Sequence, residues 1–273
     1  MQLPLSSKLA GSLVWRNTAS STNLELIQLS QSENLPDFTV MVTANQVAGR
    51  GRSGRVWEAP ANASLAISIL LRPRLNSPTD TTKLGWLPLL AGLAMSENVR
   101  ELLADSGSAH AIGVKWPNDV LVNDLKVCGV LSELVTGTAG GGVAVVVGAG
   151  INLSQAQEQL PVDTATSLEL QGAKLPFLLE ERFDRVLSGY LEQFRIWYEK
   201  FTDAQLNAVT SGLRAAVLEN CVSLGREVRA ILPGDSELQG RAATIDDTGR
   251  IVIDVAGLPT PVAAGDIVHL RHR

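Results

Sequence analysis

Cysteine, histidine and net positive charge are all scarce in this 273-residue chain. The two cysteines, Cys128 and Cys221, stand far apart, with no CxxC spacing and no histidine cluster beside them. That excludes a disulfide framework and a zinc site, and it suits a reducing compartment. The three histidines, His110, His269 and His272, fall outside every motif below and receive no role. No run reaches the roughly 18 apolar residues that a membrane-spanning helix needs. The first residues, MQLPLSSKLAGSLVW, lack the charged segment, apolar stretch and small-residue cleavage site of a secretory leader. Neither membrane insertion nor export is expected, and the expected location is the cytoplasm. With a formal net charge of -5 and a pI near 5.3, the chain has the wrong sign for holding nucleic acid through its phosphates.

Against these absences, 45% of the residues are hydrophobic, enough for one sizeable domain with a full core and a smaller one beside it. Periodicity predicts strands at 12–17, 38–44 and 64–71, and a short helix after Ser21-Thr22. A long buried helix is expected over 83–104, then strands at 112–116, 120–122, 126–135 and 143–148, with Asn123-Asp124 as a hairpin turn. Helices at 176–199 and 203–218 follow. Beyond Asn220, short strands at 222–231, 237–246, 251–255 and 266–270, with turns at Pro233-Gly234-Asp235 and Asp247-Thr248-Gly249, predict a small β-barrel that docks on the larger unit.

The basic residues are concentrated at one place. Gly49-Arg50-Gly51-Arg52-Ser53-Gly54-Arg55 satisfies GxGxxG, but it runs into Val56-Trp57 and a strand where a dinucleotide-binding turn would open a helix. Its arginines are more informative. Glycines admit a close backbone approach, and planar, permanently charged guanidinium groups match phosphate or carboxylate oxygens. The loop therefore suits a small anionic ligand; the alternative is a mobile surface hairpin.

Read in order, Ser21-Thr22-Asn23, Gln46 with GRGRSGR and Trp57, Lys115-Trp116-Pro117-Asn118-Asp119, KVCGVLSE from Lys126, and GAGIN from Gly148 to Asn152 resemble the motifs of biotin–protein ligases. GRGRxGRxW and KWPND are the specific members of this set, and the resemblance spans about residues 12–270. It implies an α+β fold: a catalytic domain like that of class II aminoacyl-tRNA synthetases over 1–219, with a mixed or antiparallel sheet flanked by helices, and an SH3-like β-barrel over 220–273. It also implies a ligase that forms a carbon–nitrogen bond. ATP and biotin would be its substrates, Mg²⁺ its metal, and the biotin carboxyl carrier domain of a biotin-dependent carboxylase its partner.

The resemblance places Ser21, Thr22, Asn23, Gln46, Arg50, Gly51, Arg52, Trp57, Lys126 and Gly129 along biotin and biotinyl-adenylate. Short polar side chains suit a ureido ring that needs donors and acceptors, although Thr22 alone reads equally as a helix cap. Arg52 and Lys126 are catalytic candidates because fixed cations lower the repulsion between the biotin carboxylate and the α-phosphate. Without the surrounding motif Lys126 reads as a lysine at a hairpin edge. Lys115 is a second phosphate-side cation, and Arg55, Asn118 and Asn152 are nucleotide-side candidates. Asp119 has three readings: a base for the incoming lysine, a Mg²⁺ ligand, or a turn aspartate. The arginine loop is expected to act as a lid, with Trp57 either its packing anchor or a ligand contact.

Two positions depart from the family pattern, Ser53 where an arginine is common and Cys128 where a small residue such as alanine is usual. Cys128 reads as a small buried residue, not a nucleophile. A lipoate ligase is the nearest rival, but its loop carries an arginine pair ahead of a short glycine run. A biotin-sensing repressor would need a helix-turn-helix, for which the dozen residues before the first strand are too few. The expectation is a ligase without DNA binding, as a monomer or a homodimer.

Overall fold

The computed structural model describes residues 1–232, 236–263 and 265–270; the expected turn at Pro233-Gly234-Asp235 and His272 lie outside them. A short helix α1 (Pro4–Leu9) is followed by β1 (Ser12–Arg16), α2 (Thr22–Ser32) and β2 (Thr39–Thr43). A small hairpin, β3 (Gly49–Arg50) and β4 (Val56–Trp57), precedes β5 (Ser64–Leu71), and 3₁₀ turns over Pro78–Trp86 lead into α3 (Leu87–Leu102). Then come β6 (Ile112–Lys115), β7 (Asp119–Val122), β8 (Leu125–Val135), β9 (Ala144–Asn152), α4 (Leu179–Asp203) and α5 (Leu213–Asn220). The chain closes with β10 (Glu227–Ile231), β11 (Glu237–Ile245), β12 (Ile251–Val255), β13 (Leu258–Val262) and β14 (Asp266–His269).

The larger sheet has seven strands in the order β1-β2-β5-β9-β8-β7-β6, antiparallel except for the parallel β1–β2 pair, so it is mixed. Side chains alternate across it with period two. One face carries Leu65, Ile67, Ile69, Val145, Val147, Ala149 and Val130, all buried in the main core, where α3 packs on β6, β7, β8 and β9. The helix α3 is apolar nearly all round because the sheet covers one side and α4 the other. In α4, Phe183, Val186, Leu187, Tyr190, Leu191, Phe194, Tyr198 and Phe201 recur at helical spacing and form its buried stripe. The opposite face of the sheet is covered by α2 over part of its area only, through Leu26 packed with Met41, Leu70, Val135 and Val146.

Several element boundaries differ from the sequence reading. The strand expected at 143–148 continues to Asn152 because β5 and β8 pair with it on both sides along the glycine-containing stretch. The long helix begins at Leu87, with Pro88 in its first turn, and 3₁₀ turns occupy the residues before it. The helix expected over 203–218 is only α5, since Gln205 and Leu206 take positive φ and Gly212 adopts the left-handed conformation just before it. The strand expected from Val222 starts at Glu227. In the C-terminal sheet, order β13-β12-β11-β10-β14, the edge strand β13 escaped the sequence reading because Leu258–Val262 contains two prolines, tolerated at an edge where amide donors are not needed. Asn123 and Asp124 form the expected two-residue hairpin turn, both at positive φ.

The C-terminal sheet shares one core with the larger unit. Two buried tryptophans bind its β11–β12 turn: Trp86 Nε1 donates to the Asp247 carbonyl at 2.8 Å and Trp116 Nε1 to the Gly249 carbonyl at 3.0 Å. Such pairing lets each indole bury its bulk while its single donor is satisfied.

Candidate active site

The uncovered half of the seven-stranded sheet forms the floor of a cleft of about 510 Å³. Strand register sets what lies there. Arg16, Thr43, Ala66, Gly150, Gly129, Asp119 and Lys115 stand side by side across all seven strands, and Ser68, Gly148 and Leu131 make the neighbouring row. Glycine leaves room where loops and helices press on the floor. A Cβ on Gly150 would come within 2.6 Å of the Trp57 ring, one on Gly129 within 3.0 Å of Lys126 Nζ, and one on Gly148 would overlap the Asn23 amide. The glycines of the GAGIN segment thus serve the side chains lying on them.

At the α2 end the side chains of Ser21, Thr22, Asn23 and Gln46 that line the cleft are neutral. Ser21 is the residue preceding α2, but its side chain caps nothing. Instead Gln46 Oε1 accepts from the Thr22 amide at 2.9 Å, so the helix start is capped from across the cleft. Asn23 is buried, with Oδ1 accepting from the Ser68 hydroxyl at 2.6 Å and Nδ2 donating to the Leu131 carbonyl at 3.1 Å.

At the β6–β7 end the groups are charged. A register shift in β7–β8 leaves Val127 and Cys128 both in the core and turns Lys126 to the cleft. Lys126 Nζ forms an ion pair with Asp119 Oδ1 at 2.6 Å. The ammonium also sits 5.9 Å from the Trp57 ring centre. Burial lowers the pKa of Lys115, with nearby Asp119 opposing and Lys126 reinforcing the shift. Burial likewise lowers that of Arg52 against the pull of Asp266. The Cys128 thiol is pushed far up by complete burial, consistent with a core residue and not a nucleophile.

The arginine loop is a hairpin and not the opening of a helix, which removes the dinucleotide-turn reading. Its tip is closed by the Gly51 amide donating to the Arg55 carbonyl at 2.7 Å, with Ser53 and Gly54 at positive φ. The arginines reach three different acceptors. Arg50 Nη2 lies 3.2 Å from Glu133, Arg52 Nη2 donates to the Gly265 carbonyl at 3.2 Å, and Arg55 pairs with Asp266. Trp57 rests on Gly150 and keeps a buried Nε1 with no hydrogen-bond partner among the described residues. Asn118 Nδ2 donates to the Val130 carbonyl at 2.6 Å beside the cis Trp116-Pro117 peptide bond. Asn152 is fixed between Gln155 and the Thr166 carbonyl.

Every site residue expected from the sequence lines this one cleft: Ser21, Thr22, Asn23, Gln46, Arg50, Gly51, Arg52, Arg55, Trp57, Lys115, Asn118, Asp119, Lys126, Gly129 and Asn152. Residues that complete this lining, or that hold it from behind, escaped the reading. Ser68 was visible only as part of the small-residue alternation Ser64, Ala66, Ser68 within an apolar strand. Glu133 lay inside a quoted motif without a role, and Asp266 lies in the C-terminal sheet, where no local pattern marks it. Thr164 and Ala165, at the cleft edge beside Lys126, belong to an irregular segment.

Residues 13–152 match the model of the biotin/lipoate A/B protein ligase family, and residues 223–270 that of the biotin protein ligase C terminal domain. The chain is 36% identical over 251 residues to a biotin–acetyl-CoA-carboxylase ligase of Mycobacterium tuberculosis, covering 92% of this chain and 86% of that one. It is 31% identical to the bifunctional ligase/repressor BirA of Escherichia coli, over 94% of this chain and 74% of that one. A solved biotin protein ligase from Aquifex aeolicus, in complex with biotin and ATP, superposes with a TM-score of 0.70 at 27% identity, over 96% of this chain and 99% of that one. Sequence, fold and cleft agree with these matches, and the chain belongs to the biotin/lipoate A/B protein ligase family.

Proposed function

We propose that the protein is a biotin–protein ligase acting in two steps in this cleft. A carboxylate oxygen of biotin attacks the α-phosphate of ATP, pyrophosphate leaves, and biotinyl-5′-AMP forms. The amine of a carrier lysine then attacks the acyl carbon, loses its proton, and displaces AMP. The observation that carries this reading is the polarity of this cleft, with neutral hydrogen-bonding side chains at the α2 end and cations at the β6–β7 end. That gradient suits a ligand with a neutral ring at one end and phosphates at the other.

In this reading Ser21, Thr22, Asn23 and Gln46 receive the ureido ring, and Arg50, Gly51, Trp57 and Gly129 flank the acyl chain and adenylate. Lys126 holds the carboxylate against the α-phosphate, which requires it to leave Asp119. Arg52 and Arg55 offset the charge that builds as pyrophosphate departs, and Lys115, Asn118 and Asn152 bind the nucleotide. ATP enters as its magnesium complex. Asp119 lines the cleft beside Lys115 and Lys126, and once Lys126 turns to the ligand its carboxylate is free to meet a metal held chiefly by phosphates, or to act as a base for the carrier lysine.

The carrier is the biotin carboxyl carrier domain of a biotin-dependent carboxylase. We assign residues 1–219 to a catalytic domain like that of class II aminoacyl-tRNA synthetases and 220–273 to an SH3-like barrel, supported by the second family match starting at residue 223. A cytoplasmic enzyme fits two free, buried cysteines and the finding that no helix among the described residues is long and apolar enough to cross a membrane. The net charge of -5 supports an enzyme that does not bind an operator, which biotin-dependent retention on DNA would contradict. Incubation with biotin, Mg-ATP and a carrier domain is expected to add one biotin to the carrier lysine, read by mass. ATP–pyrophosphate exchange driven by lipoate or octanoate and not by biotin would overturn the assignment.

A further inference from the structure

Glu133 stands behind the α2 end of the cleft, outside the residues that line it, two residues beyond Leu131 on β8, and takes no part in the chemistry above. Its carboxylate is divided between two elements remote in sequence. Oε2 accepts from Asn23 Nδ2 at 2.9 Å, and Oε1 lies 3.2 Å from Arg50 Nη2. With the Leu131 carbonyl taking the other Nδ2 hydrogen, both donors of the Asn23 amide are used. Asn23 Oδ1, already accepting from Ser68, retains one lone pair. A ligand therefore meets Asn23 as an acceptor only, and the acceptors at Glu133 and Leu131 hold the amide that way round. The same carboxylate ties the first loop arginine to the sheet, although half of the Arg50 side chain is open to solvent.

We propose that Glu133 is a positioning residue that sets the ligand-facing polarity of Asn23 and the placement of Arg50 together, coupling the ring-binding end of the cleft to the arginine loop. The inference rests on the biotin-ligase reading. Replacing Glu133 by alanine removes both arms, whereas E133Q keeps an acceptor for Asn23 and loses the charge that holds Arg50. The variants thus separate two functions of one carboxylate.

The test is biotin-dependent ATP–pyrophosphate exchange with biotin and ATP varied separately, together with the rate at which biotinyl-5′-AMP is released into solution. E133A is expected to raise the KM for biotin roughly tenfold while the KM for ATP and kcat stay within about twofold, and to release the adenylate faster. E133Q is expected to recover most of the biotin KM but not adenylate retention. Because they remove the same hydrogen bond, N23A and E133A should combine to less than the product of their separate effects on biotin KM. Unchanged biotin KM and adenylate release in E133A would overturn the inference alone. So would a parallel loss in both KM values and kcat that E133Q fails to relieve, which marks a merely structural residue. Absence of biotin-dependent exchange by the wild-type protein would instead overturn the ligase reading, and this inference with it.

Discussion

The two faces of the seven-stranded sheet are built from the same strands and differ in almost everything else. On the α3 face the side chains of Ile67, Val147, Ala149 and Val130 are sealed in the core; one residue along, Gly148, Gly150 and Gly129 lie on the cleft floor and Ser68 is buried beneath Asn23. Strand alternation places neighbours on opposite faces, so stability and ligand binding are written into alternate letters of the same segments. The bulky face supplies rigidity. The small face gives room, and side chains from elsewhere in the chain supply its chemistry.

Substitutions one residue apart can break this contrast. Lys126→Ala on the cleft side should lower biotin-dependent ATP–pyrophosphate exchange by roughly two to three orders of magnitude, the scale of losing a fixed group that stabilises developing charge. Its melting temperature should change little, and near-normal exchange would remove Lys126 from the adenylation step. Ile67→Ala on the sealed face should cost about 2–5 kcal/mol in urea unfolding while exchange per folded molecule persists. Gly150→Val forces the Trp57 ring off the floor and should reduce exchange by roughly a hundredfold, the scale of an ångström misplacement at a reacting site. Ser68→Ala, adjacent to Ile67, should act oppositely to it: the biotin KM rises about fivefold through loss of the buried hydroxyl that contacts Asn23 and Thr22, with stability falling by about 1 kcal/mol. A stability loss like that of Ile67→Ala without any change in KM would erase the distinction between the faces.

The smallest effect concerns the brace beneath the charged end. The Ser223 hydroxyl oxygen accepts from the Trp116 amide at 3.2 Å and lies 3.0 Å from His269 Nε2, while Arg226 Nη1 approaches Nδ1 at 3.3 Å. Arginine only donates, so Nδ1 accepts and the hydrogen of the neutral ring sits on Nε2. Burial, reinforced by Lys115 and Arg226 against the opposing charge of Asp124, pushes the His269 pKa down to about 4 from 6.5. The unfolded chain therefore takes up a proton that the folded one refuses. The contribution is present in full above pH 6.5 and is lost as pH falls from there towards 4. His269→Gln should flatten the fall in melting temperature across that window; an unchanged slope would show that His269 does not control it.

Much of this was legible beforehand because the informative residues are local. GRGRSGR is unusual in its arginine density, and Asn123-Asp124 between two apolar runs marks a tight hairpin that returns β8 beside β7. Alternation identified most strands, though it failed for β13, whose prolines mimic a turn, and for the end of β9, whose glycines mimic a loop. The helix expected at 203 failed because the positive φ values of Gln205 and Leu206 are imposed by their surroundings and not signalled by residue type. Ser68 and Glu133 carried no local mark, since their importance comes from Asn23 and Arg50 reaching them from other elements.

The sequence by itself determined the chemical inventory: neutral donors and acceptors after Ser21, a cluster of arginines at 50–55, lysines at 115 and 126, and glycines at 129, 148 and 150. It did so because each is a property of residue type and short spacing. Only the tertiary structure decided which of these meet. Strand register puts Lys115, Asp119, Gly129 and Gly150 in one row, a bulge turns Lys126 onto it, and a C-terminal strand brings Asp266 to Arg55. Those contacts join residues as many as 211 positions apart, and such proximity is fixed by the packing of the sheets and not by any neighbouring letters.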